Sequence, residues 1–174
     1  MQGPSPDEVA LVEGARQLGF NFVSRSANSI QINILGHTIN HKLLNMMEFS
    51  SERQRMSVIA LGPDGKTIKL YCKGADAMML KRLHPQTDAA LLARVEDNLH
   101  YFSTRGLRTL AIATRVLSLD EYEAWAAKYE AAQTYLGADS EARMNAVRLQ
   151  NCANCRFPGV TYIAVCLLVS LFNV

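Results

Sequence analysis

Between Phe20 and Lys73 the chain leaves itself no space for a helix. Five stretches there, FNFVSRS, SIQINIL, HTINHKLLNMMEF, RMSVIAL and TIKLYCK, alternate or run apolar in the manner of β-strands. The links between them are short: Ala27-Asn28, Gly36, the polar bend after Phe49, and the GPDG loop from Gly62 to Gly65. A parallel pair needs a crossover of roughly a dozen residues or more, so strands joined this tightly pair antiparallel. RMSVIAL and TIKLYCK around GPDG form a hairpin.

Helices lie on either side of this block. SPDEVALVEGARQLG opens with Ser5 as a candidate cap, Pro6 at the first helical position and Glu8 three residues after Ser5, the spacing of a capping box. Gly19 fits the stop. Further helices are expected from Ala75 to Leu83 and from Thr87 to Thr104, followed by a strand, LRTLAIATRVL. A long helical region then opens at Ser118 and Asp120, is interrupted at Gly137 and runs to about Gln150. Strand runs and helix runs are segregated, which gives an α+β fold.

At 174 residues, with 49% of them apolar, the chain builds one core of ordinary size. The expected division is a domain over residues 1–150 and a divergent apolar tail over 151–174. The tail's uncharged run, Val160 to Val174, is shorter than the roughly 20 residues of a spanning helix and fits a buried strand or a chain end better. The net charge of +2 comes from interspersed acidic and basic residues, so no basic block points to nucleic acid. MQGPSPDE has no apolar signal core, and four cysteines without such a signal suit a cytosolic compartment. His37 and His41 lie in a strand pattern without metal-ligand geometry, and Cys152 with Cys155 makes a lone C-x-x-C, so no metal site is expected. There is no G-x-S-x-G elbow and no Walker-type phosphate loop, so no catalytic residue is assigned.

Four short stretches remain: SPDE with Glu8 in the first helical turn, EFSSERQRMSVI with Phe49 at a strand end, KGAD with Lys73 between strand and helix, and GLRTLAIA with Arg108 at the start of a strand. Each has an ordinary structural reading. Glu8 closes a capping box, Phe49 is core, Lys73 is a solvated strand end, and Arg108 pairs across a sheet face. In this order and spacing, from about Pro4 to Ala132, they resemble the nucleotide-binding (N) domain of P-type ATPases. The spellings SPDE and KGAD resemble its type IV branch, the phospholipid flippases.

That resemblance implies a twisted antiparallel sheet flanked by helices, holding ATP by its adenine end. Phe49 would stack on adenine, Lys73 would lie at the bottom of the pocket, Arg108 would reach the phosphates and Glu8 would face the adenine amino group. Gln54 stands where the family usually has lysine, with Ser50, Arg53 and Arg55 as support on the phosphate side. The tail from Asn151 also departs from the family, whose chain normally proceeds to a hinge. The phosphorylation loop, dephosphorylation loop and hinge aspartates are absent from this sequence, so the chain is expected to bind ATP without hydrolysing it. In the complete enzyme, Mg-ATP would be presented to a phosphorylation domain, with an actuator domain and membrane helices as further partners. The isolated domain is expected to be monomeric. A second reading stays open beside this one: a non-catalytic α+β interaction module that has lost nucleotide binding.

Overall fold

A computed structural model of the chain describes residues 6–150. The elements follow as α1 (Pro6–Gln17), β1 (Phe20–Arg25), β2 (Ser29–Ile34), β3 (His37–Ser50), β4 (Arg55–Leu61), β5 (Ile68–Gly74), α2 (Asp76–Leu80), α3 (Ala89–Ser103), β6 (Ala111–Leu117), α4 (Leu119–Thr134) and α5 (Ser140–Gln150). The expected cap at Ser5 and the tail with Cys152, Cys155 and Cys166 lie outside the described residues. The expected α+β architecture is observed: six strands form one open sheet in the order β1-β2-β3-β4-β5-β6, every neighbouring pair antiparallel, with helices beside it.

The middle strands are buried on both faces, which is why RMSVIAL reads as an almost continuous apolar run. Ile59, Leu70, Cys72 and Ala113 pack with Met79, Val95, Trp125 and Tyr129 of the helices on one face. Val58, Ala60, Tyr71 and Ile112 join Ile30, Ile32 and Leu43 on the other. Leu43 and Met47 are four apart and strict alternation would put them on one side, yet they belong to opposite clusters. The register shift between Leu43 and Asn45 inserts Leu44 as an extra residue and changes the phase of the strand.

Several boundaries differ from the sequence expectation, three of them for a visible local reason. Leu35 is a turn residue rather than the end of a strand. It takes φ 49° and Gly36 φ 92°, the paired positive angles of a tight two-residue hairpin between Ile34 and His37. α2 is five residues long, Asp76–Leu80, and ends before the His84-Pro85 step. β6 begins at Ala111 rather than Leu107, because Ala111 pairs with Gly74, the last residue of β5, and the ladder has no partner beyond it.

The last helices are fixed by identifiable contacts. Ser118 Oγ accepts from the Glu121 amide at 3.1 Å while Glu121 Oε2 accepts from the Ser118 amide at 3.3 Å, a complete capping box for α4. Tyr122 donates to Asn45 Oδ1 at 2.8 Å, tying α4 to β3, and Trp125 Nε1 donates to the Val147 carbonyl at 3.1 Å, tying α4 to α5.

A Cβ added at Gly74 would lie 2.5 Å from the Gln54 carbonyl oxygen and 2.6 Å from Arg55 Cβ. Gly74→Ala is therefore expected to cost about 1–3 kcal/mol of stability by overpacking, read as a lower urea midpoint. Gly14→Ala, in a helix where the new Cβ meets nothing within 4 Å, should be neutral or stabilising. In the GPDG loop, Asp64 accepts from the amides of Lys66 and Thr67 at 3.1 and 2.9 Å and from the Thr67 hydroxyl, and these bonds hold its carboxyl down at about 2. Because that lies below the ordinary Asp value of about 3.9, the loop contributes fully above roughly pH 4 and loses its contribution as pH falls through about 2. An NMR titration of Asp64 should show the low midpoint; an ordinary midpoint would mean that the Thr67 contacts do not persist in solution.

Candidate functional site

The bend after Phe49 begins in a break of strand register. Met47 pairs with Ser57 and Ser50 pairs with Arg55, so Glu48 and Phe49 together face Met56 alone. By alternation Phe49 should share the buried side of Met47, which is 0% exposed; instead Phe49 is 63% exposed. The two-against-one bulge turns the ring outward. Across the sheet, Met56 pairs in turn with Lys73 of β5, so the bulge, Met56 and Lys73 form one row over three strands.

A bulge frees backbone groups from the ladder, and here a side chain collects one of them. Arg53 Nη1 donates to the Glu48 carbonyl at 3.1 Å and its Nη2 donates to Ser57 Oγ at 3.1 Å. Ser57 Oγ in turn donates to Cys72 Sγ at 3.3 Å, which carries the link on to β5. Arg55 Nη1 donates to the Arg53 carbonyl at 2.9 Å. Both guanidinium groups, expected from the sequence on the phosphate side of a cleft, are fully buried and hold the bend from within. Ser50 also works locally, its carbonyl accepting from the Gln54 amide at 2.7 Å and its hydroxyl from the Arg53 amide at 3.3 Å.

Gln54 closes the turn with φ 50°, a left-handed conformation that an L-residue adopts at a cost of roughly 1–2 kcal/mol. Its side chain is exposed. Its carbonyl accepts from the Ala75 amide at 3.1 Å, and Gly74 permits the close approach described above. The SERQ turn and the KGA segment are thus joined backbone to backbone.

The other two stretches meet at the start of α1. Lys73 Nζ lies 3.2 Å from Glu8 Oε1, with the two side chains 9% and 29% exposed. Arg108, just before β6, places Nη2 3.1 Å from Asp7 Oδ2. Neighbouring carboxylates in one helical turn therefore face two cations brought from β5 and from the approach to β6. Asp7 was not singled out in the sequence; its place beside Glu8 in the turn where acidic residues suit the helix dipole was the available signal. All four stretches are consequently linked: SPDE to KGAD by Glu8 and Lys73, SPDE to GLRT by Asp7 and Arg108, and KGAD to the SERQ turn by the backbone.

Among the described residues no three His, Cys, Asp or Glu side chains group so as to hold a metal ion, and these residues do not fit a resident Mg2+. No described helix is long and apolar enough to cross a membrane.

The family model described as P-type ATPase, cytoplasmic domain N, matches residues 4–146. Phospholipid-transporting ATPase 1 of Arabidopsis thaliana is 39% identical over 135 residues, which cover 78% of this chain and 12% of that relative's length. Sequence order, sheet topology and family match converge: the chain belongs to the P-type ATPase cytoplasmic N-domain family.

Proposed function

We propose that this chain binds ATP by its adenine end and, as part of a larger phospholipid-transporting ATPase, presents Mg-ATP to a phosphorylation domain. The observation that carries the reading is the outward Phe49 ring, held by a bulge in the same sheet row as Lys73. A ring of that exposure contributes little to the core, and a purine base would cover it by stacking. Lys73, paired to Glu8, would close the inner end of the pocket, and Glu8 would keep acceptor capacity for the adenine amino group. Arg108 would meet the phosphates, and the exposed Gln54 amide would donate to a phosphate or ribose oxygen. Arg53 and Arg55 would act through the bend, by holding Phe49 outward.

The matched region, residues 4–146, supports a nucleotide-binding domain over residues 1–150 with the segment 151–174 outside it. Because 12% of the relative's length is covered, hydrolysis, lipid translocation and contacts with phosphorylation and actuator domains belong in this proposal to the complete enzyme. In that setting the chain would lie in the cytosol as one domain of a membrane-embedded protein. Magnesium would enter with the triphosphate.

ATP, ADP and AMP are expected to bind with similar, modest affinities in a competition assay with a fluorescent ATP analogue, with little dependence on Mg2+. Loss of binding on removing the β- and γ-phosphates would reject an adenine-first site. Phe49→Ala should weaken all three nucleotides by roughly 1–3 kcal/mol and leave the ligand-free melting temperature nearly unchanged. A large fall in melting temperature would show that the ring belongs to the core. If no nucleotide binds, the chain is an interaction module with an N-domain fold.

Gln54→Lys tests the phosphate side. The added charge would stand at an exposed turn where water screens it, so the net gain should stay below about 1 kcal/mol. It should favour ATP over AMP and shrink as salt rises. Binding isotherms for both nucleotides at two salt concentrations check this, and equal effects on ATP and AMP would place the turn away from the phosphates.

A further inference from the structure

The two cations of the candidate site are both answered from within the chain, but not equally. Lys73 is enclosed, its side chain 9% exposed, and its Glu8 partner is 29% exposed. The Arg108 side chain is 83% exposed and its Asp7 partner 32% exposed, at 3.1 Å. An ion pair as solvated as the second is worth little and exchanges readily, whereas breaking an enclosed pair leaves a charge without compensation. Helix α1 begins with these two carboxylates, so one turn supplies both a persistent partner and an exchangeable one.

We propose that Asp7 is an internal competitor of the nucleotide's phosphates. With no ligand it occupies the Arg108 guanidinium, and a polyphosphate must displace it. This inference rests on the reading of Arg108 as the phosphate-facing residue and adds a regulator of affinity to it. The exchange is favourable because a di- or triphosphate offers the planar guanidinium several anionic oxygens, where Asp7 places one oxygen at 3.1 Å. A monophosphate close to the base does not reach the pair and leaves it intact. Asp7 is therefore a positioning residue that narrows the advantage of ATP over AMP, and it makes the flat affinity ladder a property of this pair as well as of adenine stacking.

The test is a double-mutant cycle on the full chain, using ATP and AMP as probes. Asp7→Asn should tighten ATP by about two- to fivefold, the range of an exposed ion pair, with AMP unchanged. Arg108→Gln should weaken ATP alone. Asp7→Asn added to Arg108→Gln should then have no further effect on ATP, and Asp7→Glu should restore the wild-type ratio of ATP to AMP affinity. Circular dichroism and melting temperature on each variant confirm the fold. Equal or weaker ATP binding by Asp7→Asn overturns the competitor role, as does a gain that persists without Arg108, which would be a general charge effect. If Arg108→Gln leaves ATP unchanged while Phe49→Ala weakens it, the adenine site stands and the competitor does not. If the wild-type chain binds neither probe, both readings fall.

Discussion

Burying a lysine to 7% exposure carries a desolvation cost that a nearby anion offsets, and Glu8 provides one from 65 residues earlier in the chain. The arrangement of the candidate site depends on this contact. It fixes the start of α1 against β5, and through the adjacent Asp7 it sets where Arg108 can rest. Neither cation is placed by its own strand alone. Removing Glu8 would leave the Lys73 charge in a poorly solvated position, so the pair acts as a structural clamp whether or not a ligand is present.

Second to that clamp is the close passage of β4 and β5 at their ends. Gly74 has no room for a side chain because the Gln54 carbonyl and Arg55 lie against it, and the Ala75 amide binds that carbonyl at 3.1 Å. The glycine of KGAD is therefore required by packing rather than by an unusual φ angle. Gln54, by contrast, carries the positive φ angle in a turn where glycine or asparagine would be the relaxed choice. The turn is held in place by its neighbours on both sides, including the Ser50 carbonyl and the buried Arg53. Strain of this kind persists only where the surroundings determine the conformation.

The sheet was legible in the sequence because its turns are short and its alternation regular; Gly36 and GPDG marked their hairpins correctly. The site was legible as four stretches, and their mutual contacts were not. Period-two alternation counts residues without knowing where an extra one is inserted, so it could not place Phe49 outside and Met47 inside the same strand. Polar residues in a bend are normally read as solvated, which hides the burial of Arg53 and Arg55: their guanidinium groups bind the Glu48 and Arg53 carbonyls, which the bulge and the turn bring within reach. Arg108 lies three residues ahead of β6 rather than at its start: LRTL is apolar enough for a strand, but strand length is set by the partner, and β5 ends at Gly74.

The sheet lists its strands in the order in which the chain presents them. Each strand after the first pairs with the strand made just before it, one turn behind for β2 to β5 and two helices behind for β6. Loop closure is inexpensive at that spacing, and topologies rich in such nearby pairings fold quickly. A domain built this way can assemble progressively as it leaves the ribosome, with the growing edge always the newest strand. The exception is the start of α1, whose carboxylates must wait for Lys73 and Arg108 to be synthesised before they have cations to hold. The completed site therefore ties the first turn of the chain to the last two strands of the sheet, so its contacts are present only where the sheet has formed through to β6.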